Sequence, residues 1–254
     1  MTDFGQKDHF VGAMKGVIAA IAPQARVIDI THEIEPYQIS QARSLLAQSW
    51  PFFPPRTIHV AVVDPGVGGE RRPILVEAQG HRFVGPDNGL FSDLIALPGA
   101  EVRHITNATL FLADVSATFH GRDIFAPVAA HLAAGVAASR VGPFITDAVK
   151  LPSADAVRSS SRTWIGQVVT IDRFGNLITN LRLSQLPNLT QRRFVLKLGS
   201  LELTRLAPSY SEGGPDQPIV VAGSSGCLEI AINQGSAARC LGIARGARVE
   251  LNFF

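Results

Sequence analysis

Helical and strand-like hydrophobic patterns alternate along residues 1–151 of the chain. Small apolar residues recur at helical spacing in four segments, and we expect the last of the resulting helices to be the longest. These segments are residues 12–22, 39–50, 90–97 and 124–138. Short β-branched and apolar runs lie between them and predict strands. These runs are residues 27–30, 58–63, 74–78, 83–85 and 101–105. Strands that alternate with helices are typical of an α/β domain with a mainly parallel central sheet.

The pattern changes at Pro152. Residues 152–163 are polar and have few large apolar side chains, so we expect an exposed linker. After it come short β-rich stretches separated by glycine, proline and asparagine, which predict a small antiparallel β-barrel or sandwich. These stretches are residues 164–172, 177–181, 194–198, 219–222, 228–232 and 248–253. The sequence therefore predicts an N-terminal α/β domain over residues 1–151 and a C-terminal β-barrel domain over residues 164–254.

Composition and charge narrow the classes of function. The 254 residues carry a formal net charge of only +2 and no long basic run, so the electrostatic footprint of a nucleic-acid-binding protein is missing. The N-terminus has no signal-peptide pattern, and no stretch approaches the roughly 18 apolar residues of a membrane span. We therefore expect a cytoplasmic protein without a membrane partner. Charged residues make up 17% and apolar residues 46% of the chain, which favours a buried interface between subunits.

The segment VVDPGVGGERR, residues 62–72, is the most informative stretch of the chain. It places Asp64 at the end of an apolar strand, because a Pro-Gly-x-Gly-Gly run cannot continue that strand. Arg71 or Arg72 can fold back over Asp64 after the glycine turn, at the edge where open α/β sheets hold their chemistry. Taken alone, the segment is also compatible with an ordinary turn and a surface ion pair.

Four further segments accompany it in a fixed order. They are TDFGQKDHFVGAMKGVI at residues 2–18, PDNGLFSDL at residues 86–94, SATFHGRDIFAPVAAHLAAG at residues 116–135 and IDRFGNLITNL at residues 171–181. Together with VDPGVGGERR, they resemble the S-adenosyl-L-methionine hydroxide adenosyltransferase family, whose relatives include fluorinating and chlorinating enzymes that attack the same substrate with halide. The resemblance covers nearly the whole chain. It implies hydrolysis of S-adenosyl-L-methionine to adenosine and L-methionine, without a metal or cofactor, in a homotrimer with sites shared between neighbouring subunits.

By this resemblance, Asp64, Arg71 and His120 surround the attacking water. Water is a poor nucleophile until it is oriented and its proton is drawn off, and a carboxylate can do either. Arg71 and His120 would favour hydroxide-like charge beside it. The sequence leaves open whether Asp64 accepts the proton or only orients the water. On its own, His120 is also compatible with a hydrogen-bonded loop histidine, and a metal held by His120 and Asp123 would lack further ligands.

Four residues of the first domain are expected to contact the substrate. The resemblance implies that Asp3 binds both ribose hydroxyls, which one carboxylate can accept at once. Asp8 either belongs to the site or caps the helix that follows. Tyr37 either packs near the ribose or sulfonium, since a cation is attracted to a ring face, or packs in the core. Phe119 is placed to exclude water around the reacting centre.

The second domain is expected to hold the methionine and adenine ends of the substrate. By resemblance, Asp172 meets the α-amino group, Phe174 stacks on adenine and Asn176 contacts the adenine edge. Ser224 and Asn233 would complete the carboxylate and adenine contacts. Phe-Gly-Asn is also ordinary turn chemistry, and Gly-Ser-Ser-Gly is an ordinary loop.

Two alternative functions are compatible with such a chain. A halide-dependent adenosyl transferase of this kind has an uncharged residue where Asp64 stands and a serine where Gly121 stands, and a carboxylate repels an anion. A non-catalytic module that binds S-adenosyl-L-methionine or adenosine would not need the intact set of Asp64, Arg71 and His120.

One departure from the family pattern concerns the apolar strand that precedes the TDFG-like turn in its members. The sequence here starts at Met1 with the turn itself. We therefore expect the strand that would position Asp3 to be missing, with a gap or a free edge in the sheet.

Overall fold

The computed structural model describes residues 1–153, 155–186 and 188–254. The chain divides into two compact units, Met1–Pro152 and Ser153–Phe254. Each unit has its own sheet and its own helical elements, so the expected α/β class is confirmed at this level.

Four α-helices lie in the first unit. They are α1 (Phe10–Ile21), α2 (Ile39–Ser49), α3 (Ser92–Ile95) and α4 (Ala126–Ala133). The long helix predicted over residues 124–138 is wrong at both ends, and α4 is shorter than α1. A π-helical turn, Gly121–Phe125, precedes α4, and Gly135 follows it in a left-handed conformation (φ 99°) that ends a helix. Over the described residues, no helix has the length and apolar character needed to span a membrane.

The first unit contains a four-stranded mixed sheet with the order β1-β3-β2-β4. Its strands are β1 (Ile58–Val60), β2 (Pro73–Ala78), β3 (His81–Pro86) and β4 (Glu101–His104). Strands β1 and β3 pair in parallel, whereas β2 pairs antiparallel with both β3 and β4. The expectation of a mainly parallel sheet is therefore wrong. Gln79 and Gly80 both have positive φ (50° and 75°), and this tight two-residue turn joins β2 to β3 as a hairpin.

The strand predicted at residues 27–30 is also wrong, because this segment forms no strand pairing and is largely exposed. Met1 and Thr2 lie between Thr31, just after this segment, and the chain that continues β1. Thr2 N donates to the Thr31 carbonyl (3.1 Å), and Val62 N donates to the Met1 carbonyl (3.0 Å). A cavity of about 960 Å³ is lined by residues 27–30, β1, α1 and α4.

The second unit is a curled nine-stranded sheet. Its strands are β5 (Val157–Arg158), β6 (Thr163–Ile171), β7 (Leu177–Arg182), β8 (Phe194–Leu198), β9 (Leu201–Leu203), β10 (Leu206–Ala207), β11 (Pro218–Ala222), β12 (Cys227–Ile232) and β13 (Arg248–Phe253). They pair in the order β10-β11-β12-β7-β6-β13-β8-β9, with β5 beside β6. Within the described residues, the end strands β9 and β10 do not pair with each other, so the sheet is an open half-barrel and not the closed barrel expected. Part of the segment expected as a linker forms β5, and a short helix, α5 (Ala237–Leu241), follows β12.

Candidate active site

Asp64 lies where the buried chain that continues β1 ends. Its carbonyl accepts from Val67 N (3.2 Å) and starts a turn. In this turn Gly68 has a φ of 76°, and a Cβ at this position would lie 2.1 Å from the carbonyl oxygen of Ala117. Glycine alone allows that approach, which packs the Asp64 turn against the segment that carries His120.

Arg71 joins Asp64 and His120 through one guanidinium group. Its Nε lies 2.9 Å from both carboxylate oxygens of Asp64, and its Nη2 donates to Oδ2 of the same carboxylate. Nη2 also lies 2.7 Å from Nδ1 of His120. The Asp64 and Arg71 side chains are 5% and 9% exposed, so this forked ion pair is largely removed from water. The structure thus brings together the three residues predicted to act on the water.

The contact with Arg71 determines which nitrogen of His120 carries the proton. An arginine can only donate hydrogen bonds, so Nδ1 of His120 must accept and the ring proton lies on Nε2. Burial of the ring lowers the pKa of His120, and the positive charge of Arg71 lowers it further. His120 is therefore a neutral imidazole near neutral pH, with Nε2–H available as a donor.

A π-helical turn, Gly121–Phe125, follows His120, and such distortions are frequent at functional sites. Within it, the fully buried Asp123 accepts from Ser116 N (2.9 Å) and from Nε of Arg122 (2.6 Å). Asp123 therefore holds the loop that precedes His120. In the part of the chain that the structure describes, no three His, Cys, Asp or Glu side chains form a group able to hold a metal ion.

A cavity of about 320 Å³ brings five of the predicted residues of the first unit together. Asp3, Tyr37, Asp64, Phe119 and His120 all line it. Asp3 Oδ2 accepts from the backbone N–H of Tyr37 at 2.9 Å. Tyr37 has a left-handed φ of 68°, a conformation that for a non-glycine residue is often found at functional sites, and the residue is 70% exposed. Core packing is therefore the wrong interpretation of Tyr37.

Two phenylalanines that the sequence analysis missed, Phe4 and Phe10, line the same cavity. Both meet the ring of Phe119 edge to face, with centroids 5.9 and 5.2 Å away. The buried Phe119 is thus held in an aromatic cluster that gives the cavity an apolar wall. The sequence did contain a signal for this wall, since Phe4 follows Asp3 directly and Phe10 begins α1.

Among the residues of the first unit predicted to contact the substrate, Asp8 alone does not line this cavity. It is exposed, and α1 begins at Phe10 with His9 as its N-cap and no side-chain capping bond. The helix-capping interpretation of Asp8 is therefore wrong.

In the second unit, Asp172, Phe174 and Asn176 form one turn between β6 and β7. Oδ1 of Asp172 accepts from the backbone N–H groups of Phe174 and Asn176, both at 2.9 Å. Oδ2 of Asp172 accepts from Nδ2 of Asn176 at 2.8 Å. These bonds hold the carboxylate in place, and Phe174 in the same turn is 77% exposed. The turn that Phe-Gly-Asn predicts is therefore present, and Asp172, Phe174 and Asn176 lie close together in it.

Ser224 is exposed in the turn between β11 and β12, whereas Asn233 follows β12 and donates from Nδ2 to the Gly213 carbonyl (3.2 Å). The segment before Gly213 also carries Tyr210, whose hydroxyl donates to Oε2 of Glu229 at 2.7 Å. Tyr210 belongs to no motif, so the sequence offered no signal for this pair.

Comparison with known proteins follows the same division of the chain. Two family models match it, the SAM hydroxide adenosyltransferase N-terminal domain over residues 1–142 and the corresponding C-terminal domain over residues 166–250. The (R)-S-adenosyl-L-methionine hydrolase of Salinispora tropica is 40% identical over 255 residues, which cover 98% of this chain and 95% of that protein. A fluorinase of an Actinoplanes species is 26% identical, with 99% of this chain and 95% of that protein covered. The crystal structure of an uncharacterized conserved protein from Thermotoga maritima has a TM-score of 0.92 at 37% identity, with 99% of this chain and 98% of that chain covered.

Proposed function

This chain belongs to the S-adenosyl-L-methionine hydroxide adenosyltransferase family, and we propose that Asp64, Arg71 and His120 carry the chemistry of its reaction. The protein is an enzyme that hydrolyses S-adenosyl-L-methionine to adenosine and L-methionine. The observation that supports the residue assignment is the Arg71 guanidinium, which holds a carboxylate and a neutral imidazole together at the wall of one cavity.

In the proposed reaction, the oxygen of a water molecule bonds to the ribose C5′ while the bond from C5′ to sulfur breaks. The electron pair of that bond leaves with the sulfur, so the sulfonium becomes a neutral thioether and needs no acid. Asp64 accepts a hydrogen bond from the water and directs its lone pair at C5′, and the proton passes to Asp64 or to solvent. Arg71 holds the carboxylate in place, and Nε2–H of His120 donates to the developing hydroxide-like oxygen.

Three further residues of the first unit would bind the ribose and sulfonium. Asp3 uses one lone pair on the backbone N–H of Tyr37, and its other carboxylate lone pairs are available for the ribose diol. The ring of Tyr37 is exposed beside the cavity, as a contact with a cationic sulfonium requires. Phe119 would keep bulk water from the reacting carbon.

The second unit would bind the two ends of the substrate. Asp172 would accept from the α-ammonium group, and the exposed ring of Phe174 would stack on adenine. Asn176 and Asn233 would contact the adenine edge, and Ser224 the carboxylate. The rigid turn around Asp172 supports this assignment, because it holds a carboxylate and an aromatic ring in one short segment.

We also propose a cytoplasmic homotrimer in which both units contribute groups to the substrate, with no cofactor. The small share of charged residues, 17%, supports an additional buried interface. The exposed rings of Tyr37 and Phe174 support the same view, since substrate or a neighbouring subunit would cover them.

Turnover in oxygen-18 water tests the reaction itself. Displacement at C5′ must place the label in the 5′-hydroxyl of adenosine, and unlabelled adenosine would show attack at another bond. A chelator should leave the rate unchanged. A 5′-halogenated product formed in excess chloride or fluoride would favour the halide-dependent alternative, and binding without any product would favour a non-catalytic module.

A further inference from the structure

The hydroxyl of Thr2 is buried directly beside Asp3. Thr2 is 1% exposed, and its Oγ1 lies 2.9 Å from Nδ1 of His32. The same oxygen accepts from the backbone N–H of Phe4 at 3.2 Å. Because Thr2 and Phe4 are the chain neighbours of Asp3, this bond closes a short turn around the Asp3 backbone. Asp3 is thus the central residue of a turn that a buried hydroxyl closes.

The ends of this turn are attached by backbone bonds alone. Thr2 N donates to the Thr31 carbonyl (3.1 Å), and Gly5 N donates to the His32 carbonyl (2.8 Å). Neither bond uses a side chain. A change in the side chain of Thr2 or His32 should therefore alter the conformation inside the turn while its two ends stay in place.

Asp29 determines which nitrogen of His32 carries the proton. His32 is 7% exposed, and its Nε2 lies 3.2 Å from Oδ1 of Asp29. The other oxygen of this carboxylate accepts from Nζ of Lys15, in α1, at 2.6 Å. A lone pair on Nε2 would face the negative charge of Asp29, so the proton of a neutral ring lies on Nε2. Nδ1 is then an acceptor for the Thr2 hydroxyl.

The protonation of His32 gives the Thr2 hydroxyl one direction. Burial lowers the pKa of His32, and the contact with Asp29 opposes this, so the ring is neutral near neutral pH. The Thr2 hydroxyl therefore donates to Nδ1 of His32 and keeps its lone pairs for the N–H of Phe4. Rotation of the hydroxyl away from this direction would leave buried polar groups without partners, which is costly.

We propose that His32 is a positioning residue for ribose recognition, because through the Thr2 hydroxyl it fixes the turn that aims the Asp3 carboxylate at the ribose diol. Asp3 lines the cavity that contains Asp64 and His120, whereas Thr2 and His32 do not. Their effect reaches the site through the turn. Direction matters there, since hydrogen bonds weaken steeply when they are misaligned. This inference rests on the proposed function, which assigns the diol to Asp3.

Four substitutions separate the bond from the bulk of the side chains. Thr2→Val keeps the shape of the threonine and removes its hydroxyl, and His32→Phe removes the acceptor. Each should lower affinity for adenosine by about fivefold, the effect of one hydrogen bond. Thr2→Ser keeps the hydroxyl, and His32→Asn places an amide oxygen near the position of Nδ1. Both conservative variants should bind adenosine within about twofold of the parent protein.

Calorimetry with two nucleosides distinguishes positioning from a general structural loss. Adenosine carries the ribose diol, whereas 2′,3′-dideoxyadenosine lacks both hydroxyls. Thr2→Val should weaken adenosine binding and bind the dideoxynucleoside as the parent does. Thr31→Val is the matched control, because Oγ1 of Thr31 accepts from Glu33 N at 3.1 Å in a turn of the same kind. This control should leave both affinities unchanged.

Kinetics and a second substitution test whether the effect passes through Asp3. The diol is held alike in the substrate and in the transition state, so Thr2→Val should raise KM about fivefold and leave kcat unchanged. In an Asp3→Ala background, Thr2→Val should cause no further loss of adenosine affinity, because effects that pass through one group are not additive. His32→Phe tests the same bond where Thr2→Val does not fold.

Several results would overturn the positioning role. These are an equal loss for the dideoxynucleoside, a loss in Thr2→Ser as large as that in Thr2→Val, a fall in kcat at constant KM, or the full further loss in the Asp3→Ala background. The single variant Asp3→Ala separates this inference from the proposed function. Unchanged adenosine affinity in Asp3→Ala refutes the proposed ribose assignment, whereas loss in Asp3→Ala without loss in Thr2→Val and His32→Phe refutes the positioning role alone.

Discussion

Replacement of Asp64 by asparagine should stop turnover while the protein still binds its substrate. Asparagine keeps the shape of the side chain and one acceptor oxygen, but it removes the charge that Arg71 contacts through Nε and Nη2. It also removes the charged acceptor that we propose orients the water. The loss of one preorganised charged contact to the reacting oxygen raises the barrier by about 3 kcal/mol or more, which corresponds to at least about a hundredfold fall in kcat.

The same substitution has a cost in stability that must be measured separately. The Asp64 and Arg71 side chains are 5% and 9% exposed, and removal of one partner leaves the guanidinium charge uncompensated. We expect the free energy of unfolding to fall by about 3 kcal/mol. A simple activity assay cannot distinguish this loss from a catalytic one.

Asp87 offers a matched control in the same unit. Its side chain is 2% exposed and accepts from Arg72 through Nε (3.0 Å) and Nη2 (2.7 Å), much as Asp64 accepts from Arg71. Asp87 does not line the cavity with His120. Asp87→Asn should therefore keep kcat within a few-fold, and it should lose less stability than Asp64→Asn because Arg72 is 27% exposed and retains its ion pair with Asp147 at 2.9 Å.

Three measurements complete this comparison. Chromatography of adenosine at saturating S-adenosyl-L-methionine gives kcat, thermal unfolding gives stability, and calorimetry with S-adenosyl-L-homocysteine gives affinity. Equal losses of kcat in Asp64→Asn and Asp87→Asn would reduce the role of Asp64 to structure. Loss of affinity together with kcat in Asp64→Asn would refute its action on water, because a group that acts only in the transition state leaves ground-state binding intact.

Three other predictions concern recognition, pH and assembly. Asp3→Ala should weaken the binding of adenosine and of S-adenosyl-L-homocysteine alike, by about tenfold or more in calorimetry, because both ligands carry the ribose diol. Loss of affinity for one ligand only would contradict ribose binding. Burial and the charge of His81 lower the pKa of His59 to about 4, so its native state is neutral. The neutral state of His59 should thus contribute up to about 3 kcal/mol to the free energy of unfolding above about pH 6.5, and thermal unfolding should show this contribution being lost as the pH falls towards 4. His59→Phe should flatten this pH dependence. The intact chain should run larger than a monomer in light scattering, and residues 1–150 alone should be inactive; an active monomer would refute the shared site.

The hydrophobic pattern located most elements of the first unit but not the direction of its strands. Strands β2 and β3 were predicted within two residues because both are buried apolar runs. Their antiparallel pairing depends on positive φ at Gln79 and Gly80, and glutamine is not a residue that announces such a turn. The segment at residues 27–30 has strand composition without strand pairing, because pairing depends on a neighbour that local sequence does not contain.

In the candidate site too, local motifs identified residues, whereas contacts between distant residues could not be predicted. Asp64, Arg71 and His120 could be assigned because each lies in a motif, and the tight approach of Gly68 to Ala117 brings those motifs together. The tautomer of His120 could not be predicted, since it depends on a contact with a residue 49 positions away in the sequence. Pairs formed across the fold between residues without motifs lie beyond sequence reasoning for the same reason.

The protonation of His120 also bears on the choice between water and halide. With a neutral imidazole, the charges of Asp64 and Arg71 balance, and both donors that Arg71 directs at the carboxylate are in use. A halide beside this carboxylate would lose its hydration and meet repulsion from Asp64, whereas water can donate to the carboxylate. Were His120 a cation, the three groups would carry a net positive charge and the discrimination would weaken. The burial and the Arg71 contact that keep His120 neutral therefore favour water as the nucleophile.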